Sequence, residues 1–264
     1  MNMGKERLDI EKIKKITLDI LIDVADFCER NNITYFLACG TLLGAIRHKG
    51  FIPWDNDIDI MIPRPDYKRF LDTYNGDYRL CKPESGMYYF AKVYDPNTVL
   101  YEKGMDYKKY DPLGLYIDIF PLDGIVNDEK EIERIMKKSL ILETLLRLSN
   151  QPVFYRKNPV KAFNRIIPRI IGSRNLVKMI ERNAQKYDYD ESDYVIRVRN
   201  TINGFTGALE KEVYGKEYKE FEDHMFCVPK GYDKWLTRFY GDYMKLPPEE
   251  KRIIHEYECY SLDA

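Results

Sequence analysis

The stretch FIPWDNDIDIMIP, residues 51–63, places three aspartates at alternate positions and then passes directly into an apolar run. Alternate residues of a strand share one face, so the alternation over 57–62 predicts a strand on which Asp55, Asp57 and Asp59 converge. Like charges at this spacing repel one another, and burying an unpaired carboxylate is costly. The pattern therefore predicts that a cation belongs beside these aspartates.

A second aspartate has the same kind of setting further along the chain. In LYIDIF, residues 115–120, Asp118 alternates with apolar residues, as expected of another buried strand. If the two strands are neighbours, Asp57, Asp59 and Asp118 would form a site of three carboxylates. Such oxygen ligands suit Mg²⁺, which keeps coordination positions open for phosphates.

The aspartate run also has two plainer interpretations. A calcium-binding loop needs glycine at its sixth position and glutamate at its twelfth, where this chain has Ile60 and Asp66. A solvated acidic turn is the other interpretation, because runs of charge usually lie on the surface. The apolar strand that follows, the glycine turn that precedes and the second aspartate strand together favour a metal site.

The glycine turn is LACGTLLGAIRH, residues 37–48. A strand over 34–39 is predicted to lead into Gly40 and Thr41, after which a short helix begins. Glycine lets the backbone approach a ligand closely, and the N–H groups at a helix N-terminus attract phosphate oxygens. The turn is therefore a candidate phosphate-binding element.

Three basic side chains are further candidates for phosphate binding. Arg47 and His48 end the short helix and could reach a diphosphate; a surface arginine and a locally hydrogen-bonded histidine are the alternatives. Lys92 lies in the predicted strand 88–95, where an outward lysine on an edge strand is the alternative to a phosphate ligand.

The composition is that of an ordinary globular protein. The chain has 264 residues, of which 32% are charged, and a net charge of −1, so no general attraction to nucleic acid follows. Five widely spaced cysteines without a C-x-x-C pair argue against a disulfide framework or a zinc site. No apolar run approaches the ~20 residues of a membrane span, and the N-terminus lacks an apolar signal core. These features predict a cytoplasmic protein.

The hydrophobic periodicity divides the chain into two parts. Helices are predicted over 8–31 and 65–74 among the strands of residues 1–128, whereas residues 129–264 are mostly helical. The second part would complete the site and form the acceptor surface, or the two parts could be one continuous domain.

One segment is strongly basic. Residues 147–186 contain ten Lys or Arg and one acid, Glu181. In PVKAFNRIIPRII, residues 159–171, apolar and basic side chains form separate faces of a predicted helix. This helix could lie on anionic lipid, in a membrane contact spanning 153–182, or it could pack on the core with its basic face in water.

These motifs together resemble the LicD family of phosphocholine transferases, which is related to the fukutin-related proteins and belongs to the nucleotidyltransferase superfamily. The matching residues are GTLLG (40–44), RH (47–48), PWDNDID (53–59), YIDIFPLDG (116–124) and FYGDYMKLPPEEKRIIH (239–255).

The resemblance implies an α+β fold, in which a nucleotidyltransferase-like mixed sheet is flanked by helices and followed by a largely helical C-terminal part. It also implies two bound Mg²⁺ ions, with Asp57 and Asp59 as the D-x-D metal ligands and Asp118 as the third carboxylate. Gly40 and Thr41 match the step that cradles phosphate in the family.

The implied reaction is transfer of phosphocholine from CDP-choline to a hydroxyl of a cell-surface glycan or teichoic acid precursor, with release of CMP. The acceptor could be lipid-linked, which would place the protein at the inner face of the membrane. Arg252 and His255 of the C-terminal motif are expected to close over the site. A choline group would need an aromatic cage, for which the nearby candidates are Trp54, Tyr88, Tyr89, Tyr94, Tyr101 and Tyr116.

Three other functions stay open at this point. The donor could carry ethanolamine, ribitol phosphate or glycerol phosphate in place of choline. A D-x-D motif also holds the metal in nucleotide-sugar glycosyltransferases, although these usually have a longer nucleotide-binding region before it. An inactive relative could serve as a metal- or lipid-binding adaptor.

Overall fold

The apolar run that follows Asp59 forms an inner strand of a mixed β-sheet in the computed structural model of the protein. The structure describes residues 6–153, 164–198, 207–252 and 258–262.

Helices and strands are interspersed along the described ranges. The α-helices are α1 (Ile10–Arg30), α2 (Cys39–Arg47), α3 (Arg64–Thr73), α4 (Glu129–Asn150), α5 (Ile166–Ile171), α6 (Ser173–Ala184) and α7 (Tyr232–Tyr240). The strands are β1 (Phe36–Leu37), β2 (Asp59–Pro63), β3 (Arg79–Cys81), β4 (Ala91–Tyr94), β5 (Thr98–Tyr101), β6 (Tyr116–Ile125), β7 (Tyr194–Ile196), β8 (Leu209–Glu210), β9 (Lys216–Phe221), β10 (His224–Pro229) and β11 (Glu258–Ser261).

The main sheet has the strand order β1-β2-β6-β4-β3, and β7 with β8 extends it from the second half of β6. The pair β2–β6 is parallel, whereas the other pairs of this sheet are antiparallel. All five residues of β2 are buried, because both of its faces are covered. Strands buried on both faces are typically continuous apolar runs, as in the stretch 60–62.

The core crosses the position at which the sequence predicted a domain boundary. One buried cluster contains Ile20 and Val24 of α1, Met61 of β2 and Trp235 of α7. Strand β7 also pairs with β6, so the C-terminal part adds directly to the sheet of the N-terminal part.

The predicted fold class is confirmed: a mixed sheet is flanked by helices, and the described C-terminal part contains more helix than strand. Several predicted strand limits were wrong: the strand predicted over 88–95 covers only Ala91–Tyr94, and the one predicted over 115–120 continues to Ile125. The strand predicted over 34–39 is confined to Phe36–Leu37, because α2 already begins at Cys39. The strand predicted over 57–62 begins only at Asp59, so Asp57 lies on the preceding loop.

The sequence did not predict the hairpin formed by β9 and β10. Its tight turn consists of Glu222 and Asp223, which have φ angles of 49° and 61°. Positive φ at both central residues is typical of hairpin turns, but Asn-Gly or Asp-Gly is the usual sequence signal for it. Strand β9 also has charged residues at four of its six positions, which obscures its alternation.

The sequence left open that α5 packs on the core with its basic face in water. The structure shows the opposite orientation for this helix. Its basic residues point inward: Arg165 is 4% exposed, and Arg169 donates to Asp106 at 2.7 Å and to the Gln151 carbonyl at 2.6 Å. Three of its four isoleucines point outward, and Ile170 is 79% exposed, whereas Ile171 packs against the apolar cluster between α4 and α6. The prediction of a solvated basic face is therefore wrong for these two arginines. Lys161 and Phe163 of the same segment lie outside the described residues.

Across the described residues, none of the helices combines the length and the apolar character required to cross a membrane.

Candidate active site

Asp59 and Asp118 face each other across the parallel pair β2–β6. Asp59 is the first residue of β2, and the register aligns it with Asp118 of β6. Neighbouring strands lie about 4.8 Å apart, and residues paired in register point to the same side of the sheet. The neighbouring strands expected from the sequence are thus present, and they bring two of the three predicted carboxylates together.

Lys92 of β4 is the third residue in this row across the sheet. It is paired in register with Asp118, on the side of β6 opposite to β2. Its ammonium donates to Asp118 Oδ1 at 2.5 Å, and its side chain is only 3% exposed. The ammonium also lies over three aromatic rings, 3.4 Å from the centroid of Tyr116, 4.4 Å from Tyr88 and 5.0 Å from Phe90. Strand β4 lies between β3 and β6, so the alternative of an outward edge lysine is wrong.

The glycine turn is fastened to the start of β2. The Thr41 hydroxyl accepts a hydrogen bond from the Asp59 N–H at 2.9 Å, and the Ala38 N–H donates to the Asp59 carbonyl at 2.9 Å. The N-terminus of α2 therefore lies beside the carboxylates. Its partial positive charge suits an anion such as phosphate.

Gly40 is required by the close approach of Asp55. A Cβ atom at position 40 would lie 2.4 Å from Asp55 Oδ2, far inside contact distance. Asp55 also accepts from the Asn56 N–H at 3.1 Å. Its side chain therefore packs the aspartate loop against the glycine turn.

Asp55, Asp57 and Asp59 interact electrostatically. Burial raises the pKa of Asp55; hydrogen bonding with Asp57 opposes this change, and the nearby charge of Asp59 adds to it. Crowded carboxylates with a raised pKa are characteristic of places where a cation is bound.

Asp57, Asp59 and Asp118 are not arranged as a set of three metal ligands. Through the described parts of the chain, no group of three Asp, Glu, His or Cys side chains is arranged to hold a metal ion. Asp118 is instead paired with the Lys92 ammonium. The donors themselves fit Mg²⁺, since Asp57, Asp59 and Asp118 offer only hard carboxylate oxygens beside a loop crowded with negative charge.

Arg47 and His48 connect the end of α2 with the C-terminal motif. Arg47 donates to the Tyr243 carbonyl at 2.7 Å and to His48 Nδ1 at 3.4 Å. Burial and then the charge of Arg47 lower the pKa of His48. The His48 ring meets Trp54 edge-on at 6.4 Å, and the Arg252 guanidinium lies 4.5 Å over that Trp54 ring. Their role at a diphosphate stays a prediction, and His255 lies outside the described residues.

Two further residues near the site were not predicted. Arg197 donates to Cys39 Sγ at 2.8 Å and lies 4.7 Å over the ring of Phe120. Desolvation, then Cys39 and the charge of Asp59, raise the pKa of Tyr240, although 44% of this residue stays exposed. The C-terminal motif contains Tyr240 and could have pointed to it. No pattern in the sequence marks Arg197.

A buried ion network lies behind the site. Arg64, directly after β2, donates to both oxygens of Asp123 at 2.6 and 2.9 Å and to Glu181 of α6 at 2.8 Å. Burial raises the pKa of Glu181, and Arg64 opposes this change. The network joins α6 to both strands that carry the carboxylates.

The β9–β10 hairpin holds the turn that leads into the aspartate loop. The Glu222 N–H donates to the Lys49 carbonyl at 2.9 Å, and Glu222 Oε1 accepts from the Phe51 N–H at 2.9 Å. A Cβ at Gly50 would lie 2.2 Å from the same carboxylate oxygen. The aspartate loop is therefore positioned by a residue about 170 positions later in the chain.

Comparison with known proteins identifies similar chains. A family model described as "LicD/FKTN/FKRP, nucleotidyltransferase domain" matches residues 32–143. A Haemophilus influenzae protein named lipopolysaccharide cholinephosphotransferase LicD is 35% identical over 272 residues, which cover 97% of this chain and 100% of that protein. An uncharacterized protein of Rickettsia prowazekii is 30% identical over 133 residues, or 45% of this chain and 47% of that protein. The Haemophilus alignment therefore includes both parts of this chain, whereas the Rickettsia alignment is partial.

Proposed function

This chain belongs to the LicD family, and from that premise we propose that it transfers phosphocholine from CDP-choline to a hydroxyl of a glycan, with release of CMP. The family predicted from the motifs is confirmed, and so is the predicted class, a transferase of substituted phosphate groups. The Haemophilus relative is named for lipopolysaccharide. We therefore propose as acceptor a sugar of a cell-surface glycan or of a teichoic acid precursor.

The observation that supports this function best is the row of charges across three strands. Asp59, Asp118 and Lys92 occupy aligned positions of β2, β6 and β4, beside the N-terminus of α2. A diphosphate needs positive charge around its oxygens, and an attacking hydroxyl needs a base. Lys92 and the helix N-terminus supply positive charge, and the aspartates supply a base, within one region of the sheet.

In the proposed mechanism the acceptor oxygen attacks the phosphorus that bears choline, the phosphorus–oxygen bond to CMP breaks, and Asp118 takes the hydroxyl proton. Gly40, Thr41 and the N–H groups of α2 would bind the diphosphate. Asp57, Asp59 and Asp118 would hold two Mg²⁺ ions, which supply positive charge that neutralises the diphosphate. Lys92 would keep Asp118 oriented.

The first experiment is a thermal-shift panel in Mg²⁺ with CDP-choline, CDP-ethanolamine, CDP-ribitol, CDP-glycerol and UDP-glucose. A ligand that binds only the folded state raises its stability, so we expect the largest shift with CDP-choline. The shift should be lost in Asp59→Asn and kept in Asp72→Asn, a control on the exposed side of α3.

The outcomes separate the alternatives. A shift with only one of the other CDP donors would indicate that the group carried by that donor is transferred in place of phosphocholine. A shift with UDP-glucose alone would indicate a glycosyltransferase. No shift with any donor would favour an adaptor. Phosphorus NMR should then show conversion of CDP-choline to CMP with a glycan acceptor, slowed about a hundredfold or more in Asp59→Asn.

We further propose that α5 contacts anionic lipid at the inner face of the membrane, where a lipid-linked acceptor would be found. The outward isoleucines Ile166, Ile167 and Ile170 are exposed, and the following helix α6 exposes Arg174 and Lys178. Exposed apolar side chains beside basic ones are typical of surfaces that lie on membranes.

Co-sedimentation with vesicles tests this contact. The wild type should bind vesicles rich in phosphatidylglycerol but not neutral vesicles, and Ile167→Ser with Ile170→Ser should abolish binding. Met225→Ser, at a 60% exposed residue of β10, is the matched control. Absence of binding to anionic vesicles would end the proposal without affecting the transferase reaction.

A further inference from the structure

A cavity of about 600 Å³ lies between α4 and the segment that leads into β4. Its wall includes three consecutive aromatic residues, Tyr88, Tyr89 and Phe90, and two carboxylates, Glu102 and Glu143. Cavities of this size typically hold small ligands. Of the residues that the sequence suggested for a choline cage, Tyr88 and Tyr89 line this cavity, whereas Trp54, Tyr94, Tyr101 and Tyr116 are not among its described lining residues.

The cavity adjoins the carboxylate site. Two of its rings, Tyr88 and Phe90, also contact the ammonium of Lys92, which bonds to Asp118. A ring of the cavity wall and the Lys92 side chain therefore separate the cavity from Asp118, the aspartate proposed to take the acceptor proton.

Hydrogen bonds hold the two carboxylates against the rings. Glu102 accepts from the hydroxyls of Tyr88 at 2.5 Å and Tyr116 at 2.7 Å, and Glu143 accepts from the Tyr89 hydroxyl at 3.1 Å. Burial, and then the charge of Glu102, raise the pKa of Tyr88, so its phenol remains a donor. The wall is therefore aromatic, and its two carboxylates share it with two cations, Lys103 and Arg147.

We propose that this cavity binds the quaternary ammonium group of the donor, an assignment that rests on the proposed function. A trimethylammonium group has no N–H to donate, so it is recognised by aromatic faces and by nearby negative charge. Both are present in the wall. A glycerol or ribitol group carries no charge, so it lacks the attraction of a cation to ring faces and carboxylates. The cavity thus selects the donor's head group.

The test compares two donors that differ only in this group. Calorimetry in Mg²⁺ should give a clear preference of the wild type for CDP-choline over CDP-glycerol. Glu143→Gln keeps an acceptor for the Tyr89 hydroxyl but removes the charge, and Tyr89→Leu removes the ring. Each should weaken CDP-choline by about tenfold and leave CDP-glycerol unchanged. Glu133→Gln, exposed on the same helix and outside the cavity wall, should change neither.

Unchanged preference in both variants, with both donors still bound, would overturn this site and leave the proposed function standing. Failure of the wild type to bind either donor would overturn both. A measurement on the wild type alone guards against unfolded variants: saturation-transfer NMR should mark the choline methyl protons of CDP-choline strongly. Transfer confined to cytosine and ribose protons would contradict the assignment.

Discussion

Strand β6 carries two aspartates five positions apart, each paired with a cation, and the two pairs differ in construction. Asp123 receives two hydrogen bonds from the Arg64 guanidinium, which bonds to Glu181 as well. Asp118 receives one bond from Lys92, whose other contacts are ring faces. A bidentate guanidinium fixes geometry, whereas an ammonium is a point charge that another cation can replace. One strand thus combines a structural pair with a pair that can take part in chemistry.

The largest effect is expected where the structural pair is broken. Arg64→Leu would leave Asp123, which is 1% exposed, as a buried charge without its partner. We expect a loss of about 3–5 kcal/mol in the free energy of unfolding, measured by urea denaturation. Arg69→Leu, on the exposed side of the same helix, should cost less than about 1 kcal/mol. Equal losses in the two variants would show that the network is not structural.

Lys92→Met breaks the other pair and sharpens the comparison. Asp118 is 19% exposed and can be partly hydrated, so we expect a smaller loss of about 1–3 kcal/mol. Millimolar Mg²⁺ should stabilise this variant more than the wild type, because the cation can supply the missing charge beside Asp118. Lys82→Met is the exposed control. Stabilisation by Mg²⁺ that is equal in the wild type and in Lys92→Met would contradict a replaceable ammonium.

Thr41→Val tests the link between the glycine turn and β2. The valine cannot accept from the Asp59 N–H, which then stays buried without this partner. We expect a loss of about 1–2 kcal/mol and a lower affinity for the CDP donor. Thr41→Ser keeps the hydroxyl and should retain donor affinity. If serine and valine behave alike, the hydrogen bond does not position the site.

The smallest effect concerns pH and the third member of the structural network. Burial raises the pKa of Glu181 above its ordinary value of 4.5, so its contribution to stability is present at low pH and declines as the pH rises through the folded-state pKa. Relative to Glu181→Gln, the wild type should therefore lose stability in urea denaturation as the pH rises above 4.5.

The pKa of Glu131 is shifted in the opposite direction to that of Glu181, so the two residues can be compared. Its hydrogen bond with Lys186 lowers its pKa, so its stabilisation is present above the ordinary pKa and is lost as the pH falls. The difference between the wild type and Glu131→Gln should therefore change with pH in the other direction. Parallel pH profiles for the two variants would refute the assignment of the Glu181 shift to burial.

Periodicity was sufficient to predict the elements that carry the carboxylates. Asp59 and Asp118 each stand out as a polar residue beside apolar neighbours in their strands, and helix α3 buries Tyr67 and Phe70 on one face. Alternation along each strand is local, so it is visible in sequence. The prediction of a shared carboxylate site assumed that the two strands are neighbours, and the parallel pair β2–β6 shows that they are.

Long-range polar contacts could not be predicted. Arg64 follows an apolar strand and would be taken for a surface residue, because its partners lie 59 and 117 positions away. The orientation of α5 was also out of reach, since Arg169 turns inward to bind Asp106, 63 positions earlier, and the Gln151 carbonyl. A helical pattern shows that two faces differ, but not which of them another part of the chain will cover.

The bond between Glu222 and the turn at Phe51 has a consequence for how the protein is made. The chain emerges from the ribosome N-terminus first, so the aspartate loop is synthesised long before the hairpin that fastens it. We expect nascent chains that end before residue 222 to leave this loop open to protease, and chains that include the whole hairpin to protect it. Competence for catalysis would then be acquired only after the β9–β10 hairpin has been synthesised and can fold onto the loop.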